Sequence, residues 1–125
     1  MLTFDNIEGF ASEHGFRRKG QRNWIRRTAD FIQLVNLQRS QWAKADTYLN
    51  FALWPLVLGE PPAITESKFL LRARMEDICA SGSLADLFSE IDRQFDTLPA
   101  LRTAFAEGRL RGVYLSSQMR SLLLA

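Results

Sequence analysis

The pattern of apolar and polar residues is most regular between residues 31 and 40, where it predicts a β-strand. Phe31–Ser40 has Ile, Leu, Val and Phe without glycine or proline, and such side chains favour a pleated strand. A two-residue period assigns Phe31, Gln33, Val35, Leu37 and Arg39 to one face and Ile32, Leu34, Asn36, Gln38 and Ser40 to the other. Neither face is purely apolar. We therefore expect a strand inside a sheet, with the amides of Asn36 and Gln38 bonded to neighbouring strands or loop backbone.

Three further stretches predict strands. Short runs on either side of Gly20-Gln21 indicate a hairpin over residues 16–27, and Thr47–Trp54 alternates clearly, ending at a proline. The segment Ser67–Met75 also alternates, which favours a fourth long strand, with a helix beginning at Thr65 as the alternative.

Apolar residues at helical spacing predict helices at both ends of the chain. The predicted helices cover residues 3–14, the segment after Ser83 to Phe95, and Leu98 to Gly108, with a final turn after Ser116 or Ser117. Thr3 or Asp5 caps the first helix and Gly15 ends it. In the second helix, Asp86 has the position of the acid in a capping box with Ser83.

One helix, then hairpin-connected strands, then helices is the order typical of an α+β fold. We expect a single domain over residues 1–125. In it, a four- or five-stranded, mainly antiparallel sheet carries the N-terminal helix and the C-terminal helices on one face.

Composition narrows the class of protein. Hydrophobic residues make up 46% and charged residues 24% of 125 residues, as in ordinary globular chains. No apolar run approaches the roughly 20 residues of a membrane helix, and the N-terminus does not resemble a signal peptide. Cys79 is the only cysteine, so no internal disulfide forms, and we expect a cytoplasmic protein.

Part of the chain resembles a known family. The residues that carry the resemblance are Gly15-Phe16-Arg17-Arg18-Lys19-Gly20, Trp24, Arg26, Phe31 to Trp42, and Leu49-Asn50-Phe51. The most specific part is the order Gln-x-x-Asn-x-Gln-x-Ser-x-Trp from Gln33 to Trp42. Over about residues 4–75 the chain resembles the bacterial family called domain of unknown function 4304. The resemblance implies a bacterial cytoplasmic protein and brings no established activity, so no catalytic residue is implied.

Few residues in the chain suit catalysis or metal binding. His14 and Cys79 are the only residues of their types, far short of the ligand clusters that zinc uses. His14 ends the apolar face of a predicted helix, where a packed or C-terminal histidine is expected. No Gly-x-Ser-x-Gly, Walker or dinucleotide pattern occurs. We expect no metal, no cofactor and no catalytic residue, although an enzyme site without a motif is the third alternative.

Positive charge is concentrated in one segment. Its six cations are Arg17, Arg18, Lys19, Arg22, Arg26 and Arg27. The net charge is +2, so this segment carries +6 and the rest −4. With Phe16 and Trp24 interleaved, such a hairpin is a candidate for nucleic-acid binding. Against this, strand alternation divides the cations between two faces, and charge on edge hairpins also prevents association between sheets.

A second candidate surface combines amides and aromatic rings on the predicted sheet. Its members are Trp24, Arg26, Asn36, Gln38, Tyr48, Asn50 and Trp54. If neighbouring strands pair, these side chains share one face, and aromatic, arginine and amide groups are typical of binding surfaces. The alternative is that the C-terminal helices cover this face and the amides are structural. The favoured hypothesis is a non-catalytic domain that binds a protein or small polar ligand there, ahead of nucleic-acid binding.

Overall fold

The computed structural model describes residues 2–39 and 47–125. The helices are α1 (Phe4–Glu13), α2 (Met75–Ile78), α3 (Leu84–Gln94), α4 (Leu98–Ala106) and α5 (Ser117–Leu124). The strands are β1 (Arg17–Lys19), β2 (Asn23–Arg27), β3 (Phe31–Arg39), β4 (Thr47–Pro55), β5 (Leu71–Arg74) and β6 (Tyr114–Leu115). Short 3₁₀ helices cover Leu56–Leu58 and Glu66–Lys68.

The strands form one antiparallel sheet in chain order, from β1 at one edge to β6 at the other. Strand β3 lies inside the sheet, paired with β2 along one side and with β4 along the other. The predicted α+β class and the interior position of β3 are therefore confirmed, while Ser40 lies outside the described residues. The described residues form six strands, more than the four or five expected. The additional strand is Tyr114–Leu115, which is too short for alternation to be recognised in the sequence.

The predicted long strand over residues 67–75 was wrong at both ends. Glu66–Lys68 is a 3₁₀ helix, and β5 is limited to Leu71–Arg74. The strand stops because the Arg74 N–H donates to Asp77 Oδ2 at 2.9 Å, which caps α2. Phe69 also departs from the expected alternation, since it packs with Trp54 in a second apolar cluster rather than beside Leu71.

The two faces of the sheet are covered by different parts of the chain. The helices pack on the face that carries Trp24, Val35 and Phe51, which we call the helix face. On the opposite face, a smaller cluster is covered by the segment from Leu56 to Leu70. The members of this smaller cluster are Ile32, Leu34, Ala52, Trp54 and Phe69.

Side chains that cap the helices fix where each helix begins. Thr3 Oγ1, Ser83 Oγ, Thr97 Oγ1 and Ser116 Oγ accept the N–H groups of Asn6, Asp86, Ala100 and Met119 at 3.1–3.3 Å. The caps are therefore Thr3 rather than Asp5, and Ser116 rather than Ser117. Gly15, which follows α1, has a φ of +83°, a conformation that glycine adopts without steric penalty.

The predicted capping box at α3 was half right. Ser83 caps the helix, but the Asp86 carboxylate accepts the Ser81 hydroxyl at 2.8 Å instead of the Ser83 N–H. That N–H donates to Ser81 Oγ at 3.2 Å. Because Ser81 stands between the two groups, the box closes through its hydroxyl.

A partly buried polar network joins the helices to the helix face. Arg26 Nε donates to Gln33 Oε1 at 2.7 Å, and Gln33 Nε2 donates to the Phe95 carbonyl at 2.8 Å. One terminal nitrogen of Arg26 donates to Asp92 Oδ1 at 2.7 Å and to the His14 carbonyl at 2.8 Å. His14 Nδ1 lies 2.6 Å from Asp92 Oδ2. The network thus connects β2 and β3 to the C-terminal ends of α1 and α3.

Aromatic rings surround this network. The Arg26 guanidinium lies 4.6 Å from the centroid of the Phe16 ring, a cation–π distance. The His14 ring stacks on Phe88 at 5.3 Å. The prediction of His14 as a packed residue at a helix C-terminus is confirmed by its cap position and this stacking.

We predict that Gln33→Leu lowers the free energy of unfolding by about 2 kcal/mol, because it leaves a buried carbonyl and Arg26 Nε without partners. Urea unfolding followed by circular dichroism measures the change. The matched control is Gln118→Leu on exposed α5, which should stay within about 0.5 kcal/mol of the native value. Equal effects of the two substitutions would contradict a structural role for the network.

Candidate binding site on the sheet

Five polar residues form one row across five strands. The register pairs Lys19 with Asn23, Asn23 with Asn36, Asn36 with Asn50, and Asn50 with Arg74. Residues directly opposite each other in antiparallel strands point to the same face. The side chains therefore project together from the face opposite the helices, and we call them the polar row.

The amides of the polar row bond to one another and to Gln38, which lies two residues beyond Asn36 on β3 and which we count with the row. Asn50 Nδ2 donates to Asn36 Oδ1 at 3.2 Å and to Gln38 Oε1 at 2.9 Å, and Asn36 Nδ2 donates to Asn23 Oδ1 at 2.8 Å. The expectation that Asn36 and Gln38 bond to neighbouring strands is confirmed. Each of these bonds uses a carbonyl oxygen of Asn23, Asn36 or Gln38 as the acceptor. Among the described residues, the amide nitrogens of Asn23 and Gln38 have no protein partner.

Two arginine–tyrosine pairs lie on the same face, and one of them includes Arg74 at the end of the row. The Arg74 guanidinium lies 4.1 Å from the Tyr48 ring centroid, and the Arg72 guanidinium lies 4.2 Å from that of Tyr114. Tyr48 is opposite Gln38, and Arg72 is opposite both Ala52 and Tyr114. Buried Arg72 Nε has no hydrogen-bond partner within the described part of the chain. The guanidinium of Arg72 is therefore partly desolvated, and it forms no ion pair with another described residue.

A shallow cleft of about 220 Å³ opens beside these arginines, and we call it the Arg72 cleft. Its polar lining includes Gln38, Asn50, Arg72, Arg74, Glu66 and Asp77. Asp77 also approaches Gly112, where a Cβ atom would meet Asp77 Oδ1 at 2.9 Å and where φ is +80°. A side chain at position 112 would therefore displace the Asp77 carboxylate. The cleft has charge and hydrogen-bond donors suited to binding.

The structure brings together four of the seven residues predicted for the amide–aromatic surface. Asn36, Gln38, Tyr48 and Asn50 lie side by side on the face opposite the helices. Trp54 shares that face but belongs to the covered cluster, and its Nε1 donates to the Gly59 carbonyl at 2.7 Å. The C-terminal helices pack on the other face, so they do not cover the polar row.

The prediction that Trp24 and Arg26 share this face was wrong. Trp24 is opposite Val35 and Arg26 is opposite Gln33, so both point to the helix face. Trp24 is fully buried, and its Nε1 donates to the carboxylate of Glu8. The physical reason is register: the turn that begins at Thr28 pairs Asn23 with Asn36, and a shift of one residue exchanges the faces.

Sequence reasoning missed other members of this surface. They are Lys19, Asn23, Arg72, Arg74 and Tyr114. Alternation of Arg72 and Arg74 with Leu71 and Ala73 had indicated that the arginines share one face. The sequence does not show which side chains of the neighbouring strand share a face with these arginines.

The six cations of the basic segment do not all point to the same face of the sheet. Arg17 and Lys19 point to the face of the polar row, opposite Ile25 and Asn23. Arg18 points the other way, 5.3 Å from the Phe4 ring, and Arg26 belongs to the partly buried network.

The remaining two cations differ in their surroundings. Arg27 pairs with Glu60 at 3.0 Å. Arg22 is exposed at the turn and, within the described residues, forms no ion pair. The predicted division of the cations between two faces is confirmed. A cavity of about 460 Å³ lies beside β1 and β2, and five of the six cations line it: Arg17, Arg18, Lys19, Arg26 and Arg27.

Residues 2–39 and 47–125 contain neither a cluster of metal ligands nor a helix that could span a membrane. Within these residues no group of three or more His, Cys, Asp or Glu side chains could hold a metal ion. Nor does any helix there combine the length and the apolar character required to cross a bilayer.

We predict that Asn50→Ala lowers the free energy of unfolding by about 1–2 kcal/mol, because Asn36 and Gln38 lose their shared donor at a buried position. Asn23→Ala removes only a terminal acceptor at a half-exposed position, and should lower it by about 0.5 kcal/mol or less. Urea unfolding of both variants tests this difference. A larger loss for Asn23→Ala would show that the row is not organised around Asn50.

Comparison with known proteins places the chain in a family. The family model described as Domain of unknown function (DUF4304) matches residues 8–97. This match extends from α1 through β5 to the end of α3, further toward the C-terminus than the resemblance over residues 4–75. No curated protein and no solved structure matches the chain. Since the match covers well over half of the 125 residues, the chain belongs to the family DUF4304.

Proposed function

We propose that this protein is a non-catalytic binding domain whose ligand, a protein or a small polar molecule, docks on the polar row. The observation that supports this proposal is the chain of amide–amide hydrogen bonds from Asn50 to Asn23 and Gln38. Such a chain holds the amides in fixed orientations before any ligand arrives. Fixed donors lose less conformational entropy on binding than mobile ones.

The chemistry of the surrounding side chains also suits recognition. Arginine and tyrosine are enriched among the residues that dominate binding energies, and Arg74 with Tyr48 forms such a pair at the end of the row. Gln38 and Arg74 are exposed, whereas Asn50 is 5% exposed. The buried amide therefore supports an outer layer of groups that a ligand reaches.

The setting that we propose is the bacterial cytoplasm. Cys79 is a free, buried thiol, and unpaired cysteines are typical of reducing compartments. The bacterial origin rests on the resemblance to the family.

We predict that a polar ligand will perturb the side-chain amide signals of Asn23, Asn36, Gln38 and Asn50 in ¹⁵N-correlated NMR spectra. The probes are a panel of neutral and acidic dipeptides, free amino acids and mononucleotides. Side-chain amides outside the row, such as those of Gln118 on α5, provide the internal control. If probes bind but shift only signals away from the polar row, or if none binds, the proposed function is wrong.

Nucleic-acid binding through the basic hairpin is the second candidate. The observation in its favour is that Arg17, Lys19 and Arg22 are exposed and, among the described residues, have no carboxylate within ion-pair distance. If these three cations contact phosphates, the logarithm of the affinity should fall linearly as the logarithm of the salt concentration rises. The magnitude of the slope should be about 2 to 3.

The expected outcome of this second candidate is weak, salt-sensitive binding to generic single-stranded DNA and RNA. Fluorescence anisotropy at about 50 mM salt and above measures it. Arg22→Gln should weaken binding and lower the slope by about one, whereas Arg120→Gln on α5 should not. Absence of binding at the lowest salt would eliminate the candidate.

A further inference from the structure

We infer that the ligand of the polar row is an extended acidic segment of a partner protein, about six residues long. This inference rests on the proposed function and specifies the chemistry of its ligand. The segment would cross the strands along the row, with carboxylates near both ends and hydrogen-bond acceptors between them.

Cations lie at both ends of the row. Lys19 and Arg17 project from β1, while Arg74 and Arg72 project from β5, all on the same face. Among the described residues none of these four forms an ion pair. Within the part of the chain that the structure describes, the amide nitrogens of Asn23 and Gln38 between them are donors without a protein partner, and Asn50 Oδ1 is an acceptor without one. A surface of cations and donors is complementary to a chain of acceptors with negative charge.

The state of Arg72 adds to this complementarity. Its Nε is buried and has no hydrogen-bond partner within residues 2–39 and 47–125. Its guanidinium stacks on Tyr114 beside the Arg72 cleft. A partly desolvated cation without a counter-ion is stabilised by an anion placed beside it. Carboxylates suit guanidinium groups because their two oxygens match its parallel N–H donors.

The dimensions favour a chain over a small molecule. Adjacent strands lie about 4.8 Å apart, so the four steps from β1 to β5 span about 19 Å. An extended peptide rises about 3.3 Å per residue, and six residues therefore cover this distance. The Arg72 cleft, at about 220 Å³, holds one side-chain carboxylate and is smaller than the roughly 300–1,000 Å³ of ordinary small-molecule sites.

Carboxylates fit this surface better than phosphodiesters. Each flanking tyrosine ring already has a guanidinium on one of its faces, whereas single-stranded nucleic acids bind through aromatic rings free to stack on bases. Glu66 and Asp77 also line the cleft. Their negative charge lowers the local potential, which disfavours a highly charged ligand more than a single carboxylate.

The test uses two capped hexapeptides in NMR titrations of the full chain. One has glutamate at its first and last positions with serine and glycine between, and the other has glutamine in both places. The glutamate peptide should shift the side-chain amide signals of Asn23 and Gln38. The glutamine peptide should bind at least about fivefold more weakly, since it loses two exposed charge pairs.

Two variants of equal charge test the location. Arg74→Gln removes an exposed cation at one end of the row and should weaken the glutamate peptide by about threefold to fivefold. Arg120→Gln on α5, in the helix layer, should leave its affinity unchanged. Circular dichroism checks that both variants fold. If Arg74→Gln does not fold, Lys19→Gln provides the same test at the other end of the row.

The outcomes separate this inference from the function on which it rests. Equal binding of the two peptides, or equal effects of the two variants, overturns the acidic-segment inference. The inference is also overturned if a thymidine hexanucleotide shifts the side-chain amide signals of the polar row and the glutamate peptide does not. In these cases, the proposed function is still supported if any probe shifts the side-chain amide signals of the polar row. If no peptide, oligonucleotide or small polar probe shifts them, both the acidic-segment inference and the proposed function are wrong.

Discussion

The pairing of β3 with a strand on each side is the constraint on which the rest of the structure depends. Successive side chains of a strand point to opposite faces, so one register decides where every side chain of β2, β3 and β4 lies. With Asn23 opposite Asn36 and Asn36 opposite Asn50, the amides accumulate on one face. The same register sends Trp24, Val35 and Phe51 to the other face, where the helices complete the core.

Burial of Arg26 follows from the same register. A guanidinium inside a protein is stabilised by partners for its charge and its N–H groups. Here Gln33 from the neighbouring strand and Asp92 from α3 both bond to it, whereas its buried Nη2 has no hydrogen-bond partner among the described residues. Because Gln33 also bonds to the Phe95 carbonyl, the polar groups on the helix face hold the end of α3 in place. The helix face thus uses its polar side chains for architecture, and the opposite face leaves donors exposed.

Local patterns in the sequence predicted most elements because local physics determines them. Thr3, Ser83 and Thr97 cap helices through bonds to N–H groups three residues away, and alternation identified β3 and β4. Sites assembled across the chain were less predictable. Asp92 and Arg26 are separated by 66 positions, and no periodicity relates them. The face of Trp24 depended on the register set by the turn between β2 and β3, which composition does not specify. For the same reason, four residues of the candidate surface were found together and two were assigned to the wrong face.

The outer strand β1 has a consequence for how the sheet ends. The Leu37 N–H donates to the Arg22 carbonyl, and alternation of paired groups then directs the backbone of Arg17 and Lys19 toward β2. The Phe16 N–H donates to the Ala11 carbonyl. Arg18 is therefore the residue of β1 whose backbone N–H and C=O groups point away from the sheet. A strand of a second molecule could therefore pair with the backbone of only one residue at this edge, and the cations around it would repel a second copy. Fibril growth by strand addition at this edge is thus blocked.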